Sequence, residues 1–372
     1  MARLVSVGMA VPPHEISQSE AKLFAKELFS RSFQDIQRLL PLFEHTGIET
    51  RRFSRPRSWF EKEHTLAEKN RAYIEMACQL GEEAIQRCLQ PCNLDVNDID
   101  HIIYVSTTGM ATPSIDAYLV HRMGINPHVK RTPIWGLGCA GGVVGLARAF
   151  EAAQASPAHK VVLVAVECCG LTFRRNDLSK SNLVATSLFA DGAAAALVVG
   201  DQVETDDFRS GPTMIGTMST ILPNSLDIMG WEILDDGLKV VFSKEIPTLV
   251  RKNLRPLVDE FINQHHLSLS DLDHYITHPG GRKVLEAYQE ALGLSAEHFY
   301  TAYQVLKQYG NMSSVTVLFV LAEVLKQKQK KKTYGLVSAL GPGFSAEFLL
   351  LKWDEADIGN KEELQGENLY YV

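Results

Sequence analysis

The stretch IWGLGCAGG at residues 134–142 places a cysteine, Cys139, between glycines and directly before an apolar segment with helical spacing. The glycines leave the thiol unobstructed, and the first N–H groups of a helix favour negative charge nearby. A thiol in this position is expected to have a lowered pKa, and the thiolate is the reactive form of cysteine. Most cysteines are inert and buried, but the neighbours of Cys139 favour a reactive residue.

A second stretch of the chain repeats this layout. Asn311 also precedes an apolar helical segment, and a strand-like segment then starts at Lys332, the same interval that separates Lys160 from Cys139. Upstream of each stretch, the segments DIDHIIYVS at 98–106 and DLDHYITH at 271–278 are alike as well. The repeat predicts an internal duplication of alternating strands and helices, with a parallel-rich sheet in each half.

The duplication has a consequence for the reactive cysteine. Both helical segments are apolar on nearly all sides, so they are expected to be buried between layers. If the halves are related by a pseudo-twofold axis, Cys139 and Asn311 are equivalent points at the starts of two related helices. They can then face one pocket at the junction of the halves, whereas two unrelated α/β domains would leave the matched intervals unexplained.

Composition excludes several classes of function. The 372 residues are 45% hydrophobic and 22% charged, as in ordinary globular proteins, and the net charge of −7 argues against a nucleic-acid binder. No signal peptide and no run of about 20 apolar residues is present, so we expect a cytoplasmic protein without stable membrane insertion. The six cysteines form neither a disulfide framework nor a zinc-type spacing, so we expect no metal and no cofactor.

Two further residues complete a set that could carry out chemistry. His278 ends an apolar strand segment and is followed by the turn PGG at 279–281, and functional groups gather at the carboxyl ends of strands in such sheets. A cysteine nucleophile needs a base, and His278 is the candidate. Asn311 is either a helix N-cap or a hydrogen-bond donor to an oxygen on which negative charge develops.

A thiol, an imidazole and an amide together suit one class of reaction. The thiolate takes an acyl group from a thioester, and decarboxylation of a malonyl unit then gives an enolate that His278 and Asn311 can stabilise. The enolate attacks the acyl group held by Cys139, and a carbon–carbon bond forms. A cysteine protease would use similar residues, but a cysteine in a duplicated α/β unit does not suit that fold.

These motifs also carry a family resemblance. In addition to GLGCAGG at 136–142 and HPGG at 278–281, the chain contains LFADGAA at 188–194, YGNMSS at 309–314 and GPG at 341–343. On this combination the sequence resembles the type III polyketide synthases, the chalcone-synthase-like branch of the thiolase-fold superfamily. It is most similar to bacterial members that make alkylpyrones from fatty acyl-CoA starters, and the resemblance runs from about Met1 to about Trp353.

The resemblance implies a fold and a domain division. It implies an α/β, thiolase-like fold in which duplicated βαβ halves form a layered αβαβα core. Residues 1–215 would form the half with the nucleophile, and residues 216–353 the half with the histidine and the asparagine. Residues 354–372 would form a polar tail that we expect to be disordered.

The resemblance also assigns roles to residues. It implies a catalytic triad of Cys139, His278 and Asn311, and a gate at Phe189 between a CoA tunnel and the active-site cavity. It implies a homodimer in which Thr112 occupies the position from which related enzymes reach into the partner's cavity. The remaining substrate-cavity residues would be Thr107, Val240, Gly341, Pro342 and Gly343, and the cations predicted to bind CoA are Arg51, Arg52, Arg282 and Lys283.

Some positions depart from the plant enzymes of this family. Val240 replaces a second gate phenylalanine, with Phe242 as an alternative alignment, and Ala140 and Leu340 replace larger residues. The smaller side chains fit a roomier, aliphatic tunnel. Two alternatives remain open: a ketosynthase III of fatty-acid synthesis that takes malonyl groups from a carrier protein, and a non-catalytic acyl-binding protein with the thiolase fold.

Overall fold

The structure is a computed structural model that describes residues 1–30, 35–203, 211–327 and 332–354. The predicted polar tail, apart from Asp354, lies outside the described residues. Its strands are β1 (Ala2–Ala10), β2 (His14–Ser17), β3 (Thr50–Phe53), β4 (His101–Ser106), β5 (Lys130–Trp135), β6 (Lys160–Cys168), β7 (Asp191–Gly200), β8 (Thr213–Ile221), β9 (Met229–Leu234), β10 (Gly237–Phe242), β11 (Leu272–Thr277), β12 (Thr333–Gly341) and β13 (Ser345–Trp353). Its helices are α1 (Gln18–Phe29), α2 (Pro41–His45), α3 (Arg57–Phe60), α4 (Leu66–Leu89), α5 (Ile115–Met123), α6 (Gly141–Ala155), α7 (Lys180–Leu188), α8 (Ile246–Asn263), α9 (Arg282–Leu292), α10 (Tyr300–Tyr309) and α11 (Thr316–Leu325).

One large sheet runs through both halves of the chain. Within the described residues it has nine strands in the order β11-β12-β13-β8-β1-β7-β6-β4-β5. The halves meet where β1 pairs with β8, at Ala2 opposite Met214. Outward from this seam, β7, β6 and β4 follow in the first half, and their counterparts β13, β12 and β11 follow in the same sequence in the second. The predicted duplication is therefore confirmed by the strand order.

The expectation of a parallel-rich sheet is wrong. In the described parts of the chain, only the pairs β4–β5, β4–β6 and β11–β12 are parallel, and the other pairs of the large sheet are antiparallel. In the second half β12 is followed directly by β13, and a strand that returns beside its predecessor through a short turn must run antiparallel to it. The predicted division at residues 215 and 216 lies within β8 and stays a prediction.

The buried helices α6 and α11 lie between the two halves of the sheet. Strands of both halves contact α6, and strands of both halves contact α11. Helix α4 covers the outer face of the first half, and α8 with α9 covers that of the second. Helix α11 is apolar on nearly all sides, and nearly all its side chains are buried, as expected for a central layer. The layers therefore follow the expected αβαβα order.

The residue equivalent to Cys139 at the start of the second buried helix is not the predicted Asn311 but one a few residues further along the chain. A single 3-10 turn precedes each buried helix, at Gly138–Ala140 before α6 and at Ser313–Val315 before α11. Cys139 is the middle residue of the first turn, so its structural counterpart is Ser314. Asn311 precedes the second turn by two residues. The equal intervals from Cys139 to Lys160 and from Asn311 to Lys332 did not reveal this shift, because α6 and α11 have different lengths.

Close packing of the two helix starts gives a testable prediction. A Cβ atom on Gly142 would lie 2.2 Å from the carbonyl oxygen of Ser314 and 2.7 Å from Val317 Cγ1. We expect Gly142→Ala to lower the free energy of unfolding by about 1–3 kcal/mol, because backbone must shift to make room. The measurement is chemical denaturation followed by circular dichroism.

Gly230 provides the control for this variant. A Cβ atom on Gly230 would meet nothing within 4 Å. Gly230→Ala is therefore expected to change the free energy of unfolding by no more than about 0.5 kcal/mol. Equal stability of the two variants would contradict the close approach of α6 to the turn that contains Ser314.

Candidate active site

Cys139 lies on a turn that the surrounding backbone fixes. The turn begins at Gly138, whose φ of +49° lies in the left-handed region that favours glycine. The Gly138 N–H donates to Thr107 Oγ1 at 3.0 Å, and a Cβ atom on Gly138 would lie 2.8 Å from Pro342 Cδ. Cys139 is buried and lines a cavity of about 550 Å³. The thiol is thus presented to this cavity from a rigid support.

His278 lines the same cavity from the second half of the chain. It directly follows β11, and its backbone N–H donates to the Ser338 carbonyl of β12 at 2.9 Å. The ring is buried, and neither ring nitrogen has a hydrogen-bond partner in the described residues. Buried polar atoms are nearly always hydrogen-bonded, so an imidazole with two free nitrogens at a cavity wall is prepared to meet a ligand.

Asn311 is the third residue that lines this cavity, and its amide is tied to the His278 loop. Asn311 Nδ2 donates to the Gly280 carbonyl at 2.9 Å, and Oδ1 accepts from the Ser313 N–H at 2.8 Å. The second contact resembles a helix cap, which agrees with one of the two interpretations of this residue. An amide nitrogen carries two hydrogens, so one donor remains for a group in the cavity.

The charge state of the site differs from the expectation. Burial raises the pKa of the Cys139 thiol to about 12, although a hydrogen bond with the Ser313 side chain acts in the opposite direction. Burial also lowers the pKa of His278 to about 3. Both groups are therefore neutral near pH 7, and the helix start does not by itself produce a thiolate. A lone negative charge on the buried sulfur would be costly.

A buried carboxyl group near the thiol was not identified from the sequence. Glu167 ends the apolar run of β6 and accepts hydrogen bonds from Thr107 N–H at 3.0 Å, Thr108 N–H at 3.1 Å and Thr108 Oγ1 at 2.7 Å. Its other oxygen accepts from Ser314 Oγ at 2.6 Å. Burial raises the pKa of Glu167 to about 7. A charged residue near the carboxyl end of a buried strand is the same signal that identified His278.

Phe189 lines a second cavity, and its ring contacts a residue that lines the main one. Its ring lies 5.6 Å from that of Phe242, which lines the main cavity, and 5.8 Å from that of Trp231 (centroid distances). Phe189, Trp231 and Val240 line the second cavity, of about 70 Å³, whose lining is mostly apolar. Cys169 lines it as well and packs against Phe189 and Val240. The residue predicted as a gate therefore lies in the wall of the second cavity, and its gate role stays a prediction.

The other predicted cavity residues lie at different distances from the thiol. A Cβ atom on Gly341 would meet Ala140 Cβ at 2.5 Å, so the GPG loop at 341–343 packs against the cysteine turn. Thr107 lines neither cavity, and it acts on the site through Gly138. Thr112 is exposed on the loop before α5 and also lines neither cavity. Its predicted reach into a partner stays a prediction.

The predicted CoA-binding cations fall into two groups. Lys283 lines the main cavity and has no ion pair within the described residues. Arg282, its neighbour, pairs with Glu286 at 3.0 Å and is half-exposed. Lys244 and Arg251 also line the main cavity, and no sequence signal pointed to them because their helix start is distant from every motif. Glu286 lines this cavity as well, and Arg251 pairs with Glu290. Lys244 and Lys283 are therefore the lining cations without an ion pair in the described residues.

Arg51 and Arg52 do not line that cavity. Arg52 pairs with Glu15 at 2.5 Å across the antiparallel β2–β3 pair. Arg51 is fully buried and donates to the carbonyl oxygens of Thr186 and Phe189, each at 2.8 Å. Successive residues of a strand point to opposite faces, and Arg51 points inward, where it lines the second cavity. Its predicted binding of CoA stays a prediction.

Residues 1–30, 35–203, 211–327 and 332–354 contain no group of three or more His, Cys, Asp or Glu side chains that could hold a metal ion. No helix in these ranges is long and apolar enough to cross a bilayer.

Comparisons with known proteins agree with the geometry. The family model "Chalcone and stilbene synthases, N-terminal domain" matches residues 1–202, and the corresponding C-terminal model matches residues 213–353. A putative chalcone synthase of Bacillus subtilis (strain 168) is 42% identical over 95% of this chain and 100% of its own length. A 1,3,6,8-tetrahydroxynaphthalene synthase of Streptomyces peucetius subsp. caesius is 37% identical, over 94% of this chain and 93% of its own.

A solved structure gives the same result for the fold. The 1,3,6,8-tetrahydroxynaphthalene synthase of Streptomyces coelicolor A3(2), described as a bacterial type III polyketide synthase, superposes with a TM-score of 0.89. The two chains are 30% identical, and the match covers 95% of this chain and 99% of the other. The expected resemblance and the expected thiolase-like fold are therefore confirmed.

A comparison of Cys139 with Cys88 tests whether His278 acts as the base for the thiol. Burial raises the pKa of both thiols to about 12, but only Cys139 shares a cavity with His278. We expect iodoacetamide at pH 7 to modify Cys139 at least about tenfold faster than Cys88, and His278→Gln to remove most of this difference, since general bases contribute on this scale or more. Peptide mass spectrometry measures both rates. Equal rates in the parent, or an unchanged Cys139 rate in the variant, would contradict the role of His278.

Proposed function

The chain belongs to the chalcone and stilbene synthase family of type III polyketide synthases, and we propose from this premise that it extends fatty acyl starters with malonyl-CoA. Type III polyketide synthases are acyltransferases that use CoA thioesters. In the proposed reaction Cys139 takes the starter from acyl-CoA, decarboxylative Claisen condensation lengthens it, and a cyclised product such as an alkylpyrone is released. The enzyme would act as a cytoplasmic homodimer without a bound cofactor.

The unpartnered imidazole of His278 is the observation that carries this proposal. In the loading step, the Cys139 thiol passes its proton to a ring nitrogen of His278, so the two charges form together and offset each other in the closed cavity. The thiolate attacks the acyl carbonyl, a carbon–sulfur bond to Cys139 forms, and the bond to the CoA sulfur breaks. The imidazolium then returns the proton to the departing CoA thiolate.

The extension step uses the same imidazole in its neutral form. Malonyl-CoA loses CO₂, and the electron pair of the broken carbon–carbon bond forms an enolate. The enolate oxygen accepts hydrogen bonds from a His278 N–H and from the free hydrogen of Asn311 Nδ2. Donors held by the fold in a closed site stabilise such a charge without reorganisation. The enolate carbon attacks the acyl group, and the bond to Cys139 breaks to restore the thiolate.

The second cavity supports the choice of an aliphatic starter. It is mostly apolar, it adjoins the gate residue Phe189, and the small side chains of Ala185 and Ala21 line it. An acyl chain on Cys139 that passes the Phe189 ring would bury its methylene groups there, and each buried methylene contributes about 0.8 kcal/mol. Lys283, Lys244 and Arg251 would meet the phosphates of CoA at the other end of the main cavity.

The two alternatives are less well supported. A ketosynthase III would share the fold and the three site residues, but the chalcone and stilbene synthase models match both halves of this chain. A non-catalytic binding protein would have no need for a buried imidazole with two unpartnered nitrogens beside a thiol. The polyketide synthase is therefore the function that the site favours.

Product analysis with a ladder of acyl-CoA starters tests the proposal. We expect the parent enzyme to form products from malonyl-CoA without any carrier protein, and Cys139→Ala to abolish both the acyl-enzyme and the product. Asn311→Ala should keep the acyl-enzyme but lose malonyl decarboxylation by about 10²–10³-fold, as for the removal of one donor to a developing oxyanion. Mass spectrometry of the intact protein and of the products measures both.

Two outcomes would contradict this scheme. Strict dependence on a malonyl-carrier protein would favour the ketosynthase, and unchanged turnover of Asn311→Ala would remove its enolate role. Asn253→Ala serves as the control, because Asn253 lies on α8, donates to the Leu249 carbonyl and lines neither cavity. Its decarboxylation rate should equal that of the parent.

The chain-length role of the second cavity makes a separate prediction. Ala185→Leu fills space beside Phe189, and we expect it to lower product formation from long starters about tenfold relative to short ones, the scale on which apolar pockets discriminate. Ala155→Leu, at an exposed position at the end of α6, should leave the ratio unchanged. The ratio of products from a twelve-carbon and a four-carbon starter measures the effect. An unchanged ratio in Ala185→Leu would mean that the chain lies elsewhere.

A further inference from the structure

Arg51 is a buried cation that the reaction as described above does not use. Its side chain is 1% exposed, and its position is inside the wall between the second cavity and the segment that carries Phe189. No carboxylate forms an ion pair with it in the described residues. The nearest acidic group, Asp191, is instead hydrogen-bonded to Ser54 N–H and Gly170 N–H. Burying a charge without an ionic partner is costly, so the position calls for an explanation.

The guanidinium holds the end of α7. Arg51 Nη1 donates one hydrogen to the Thr186 carbonyl and the other to the Phe189 carbonyl, each at 2.8 Å. Phe189 is the residue that caps the helix, and its own N–H donates to Ala185 O at 2.9 Å. The carbonyl of the gate residue is therefore fixed by a charge-assisted hydrogen bond, which is stronger than a neutral one.

The same segment holds Asn311. Phe189 and Asn311 form an isolated parallel bridge, in which the Asn311 N–H donates to Leu188 O and the Ala190 N–H donates to Asn311 O, both at 2.9 Å. The stem of Arg51 also reaches the residue before Asn311. A Cβ atom on Gly310 would lie 2.7 Å from Arg51 Cγ, and Gly310 has a φ of +69°. One side chain thus supports both strands of the bridge.

We propose that Arg51 is a positioning residue that fixes the backbone of Phe189 and Asn311, and thereby places the Asn311 amide at the main cavity. The inference rests on the proposed function of Asn311 in the decarboxylation step. No hydrogen bond joins Arg51 to Cys139 or His278 among the described residues, so its effect on the reaction is selective. Loss of Arg51 impairs decarboxylation and leaves acyl loading on Cys139 intact.

Two variants of Arg51 test this role. Arg51→Met keeps the unbranched stem and removes the donors, whereas Arg51→Lys keeps a charged donor that can reach the two carbonyls. We expect Arg51→Met to lower malonyl-CoA decarboxylation by roughly 10–100-fold, the scale on which a misplaced catalytic group costs rate. Arg51→Lys should recover part of this loss. Loading from acyl-CoA alone, measured by intact mass, should stay within about twofold in both variants.

The split between kcat and KM separates positioning from CoA binding. A positioning residue lowers kcat for product and leaves the KM for acyl-CoA unchanged, whereas a CoA-binding cation raises KM and slows loading. A purely structural role would lower loading and decarboxylation in the same proportion, and thermal unfolding reports the folded fraction. If Arg51→Met does not fold, the measurements on Arg51→Lys alone test the positioning role.

Arg87→Met provides the matched control. Arg87 Nη1 also donates to a backbone carbonyl, that of Met9, but it is half-exposed on α4 and lines neither cavity. Both rates should equal those of the parent. Parallel losses of loading and decarboxylation in the Arg51 variants, or a raised KM with unchanged kcat, would overturn the positioning role alone. A parent enzyme that neither loads an acyl group nor decarboxylates malonyl-CoA would overturn the proposed function as well.

Discussion

The carboxyl group of Glu167 joins the two halves of the molecule at the level of the reacting groups, and the geometry of the site depends on this contact. One oxygen accepts from Ser314 in the second half, and the other accepts from Thr107 and Thr108 in the first. Thr107 in turn holds the Gly138 N–H of the cysteine turn. Because a buried acceptor that lost these donors would be costly to leave unpaired, the two helix starts stay in one register.

This register explains how residues far apart in sequence share one cavity. Cys139 stands on the turn before α6, and Asn311 stands just before the turn that leads to α11. Glycines at the start of α6 let the Ser314 backbone approach, so the cysteine turn and the second turn pack in direct contact. His278 follows β11 at the carboxyl end of the strand, and Gly280 in its loop accepts a hydrogen bond from Asn311. The three side chains are thus fixed by backbone contacts more than by contacts with one another.

The burial that fixes the site also sets its chemistry. Burial keeps the thiol and the imidazole neutral, because it penalises a lone charge on either group. In the proposed reaction, charge would arise as a pair, by proton transfer from Cys139 to His278. The Phe189 ring and the Arg51 side chain both line the second, mostly apolar cavity.

The sequence by itself determined the elements that local patterns encode. Spacing and polarity revealed the repeat of strands and buried helices, the glycine-flanked cysteine and the strand-end histidine. From these patterns the duplication, the layered fold and the three residues of the site were predicted. Each depends on residues close together in the chain, where side-chain period and turn chemistry act directly.

Only the tertiary structure decided the features that depend on distant partners. Local patterns could not predict the antiparallel pairs of the sheet or the equivalence of Cys139 with Ser314. They also could not predict the inward side chain of Arg51 or the hydrogen bonds by which Glu167 connects the two halves. Their hydrogen-bond partners lie in other strands or in the other half, and strand register and packing select those partners after the chain has folded. Arg51 and Arg52 illustrate the reason. In the sequence they form one basic segment, but side chains alternate along β3, so Arg52 points to solvent and Arg51 points into the core.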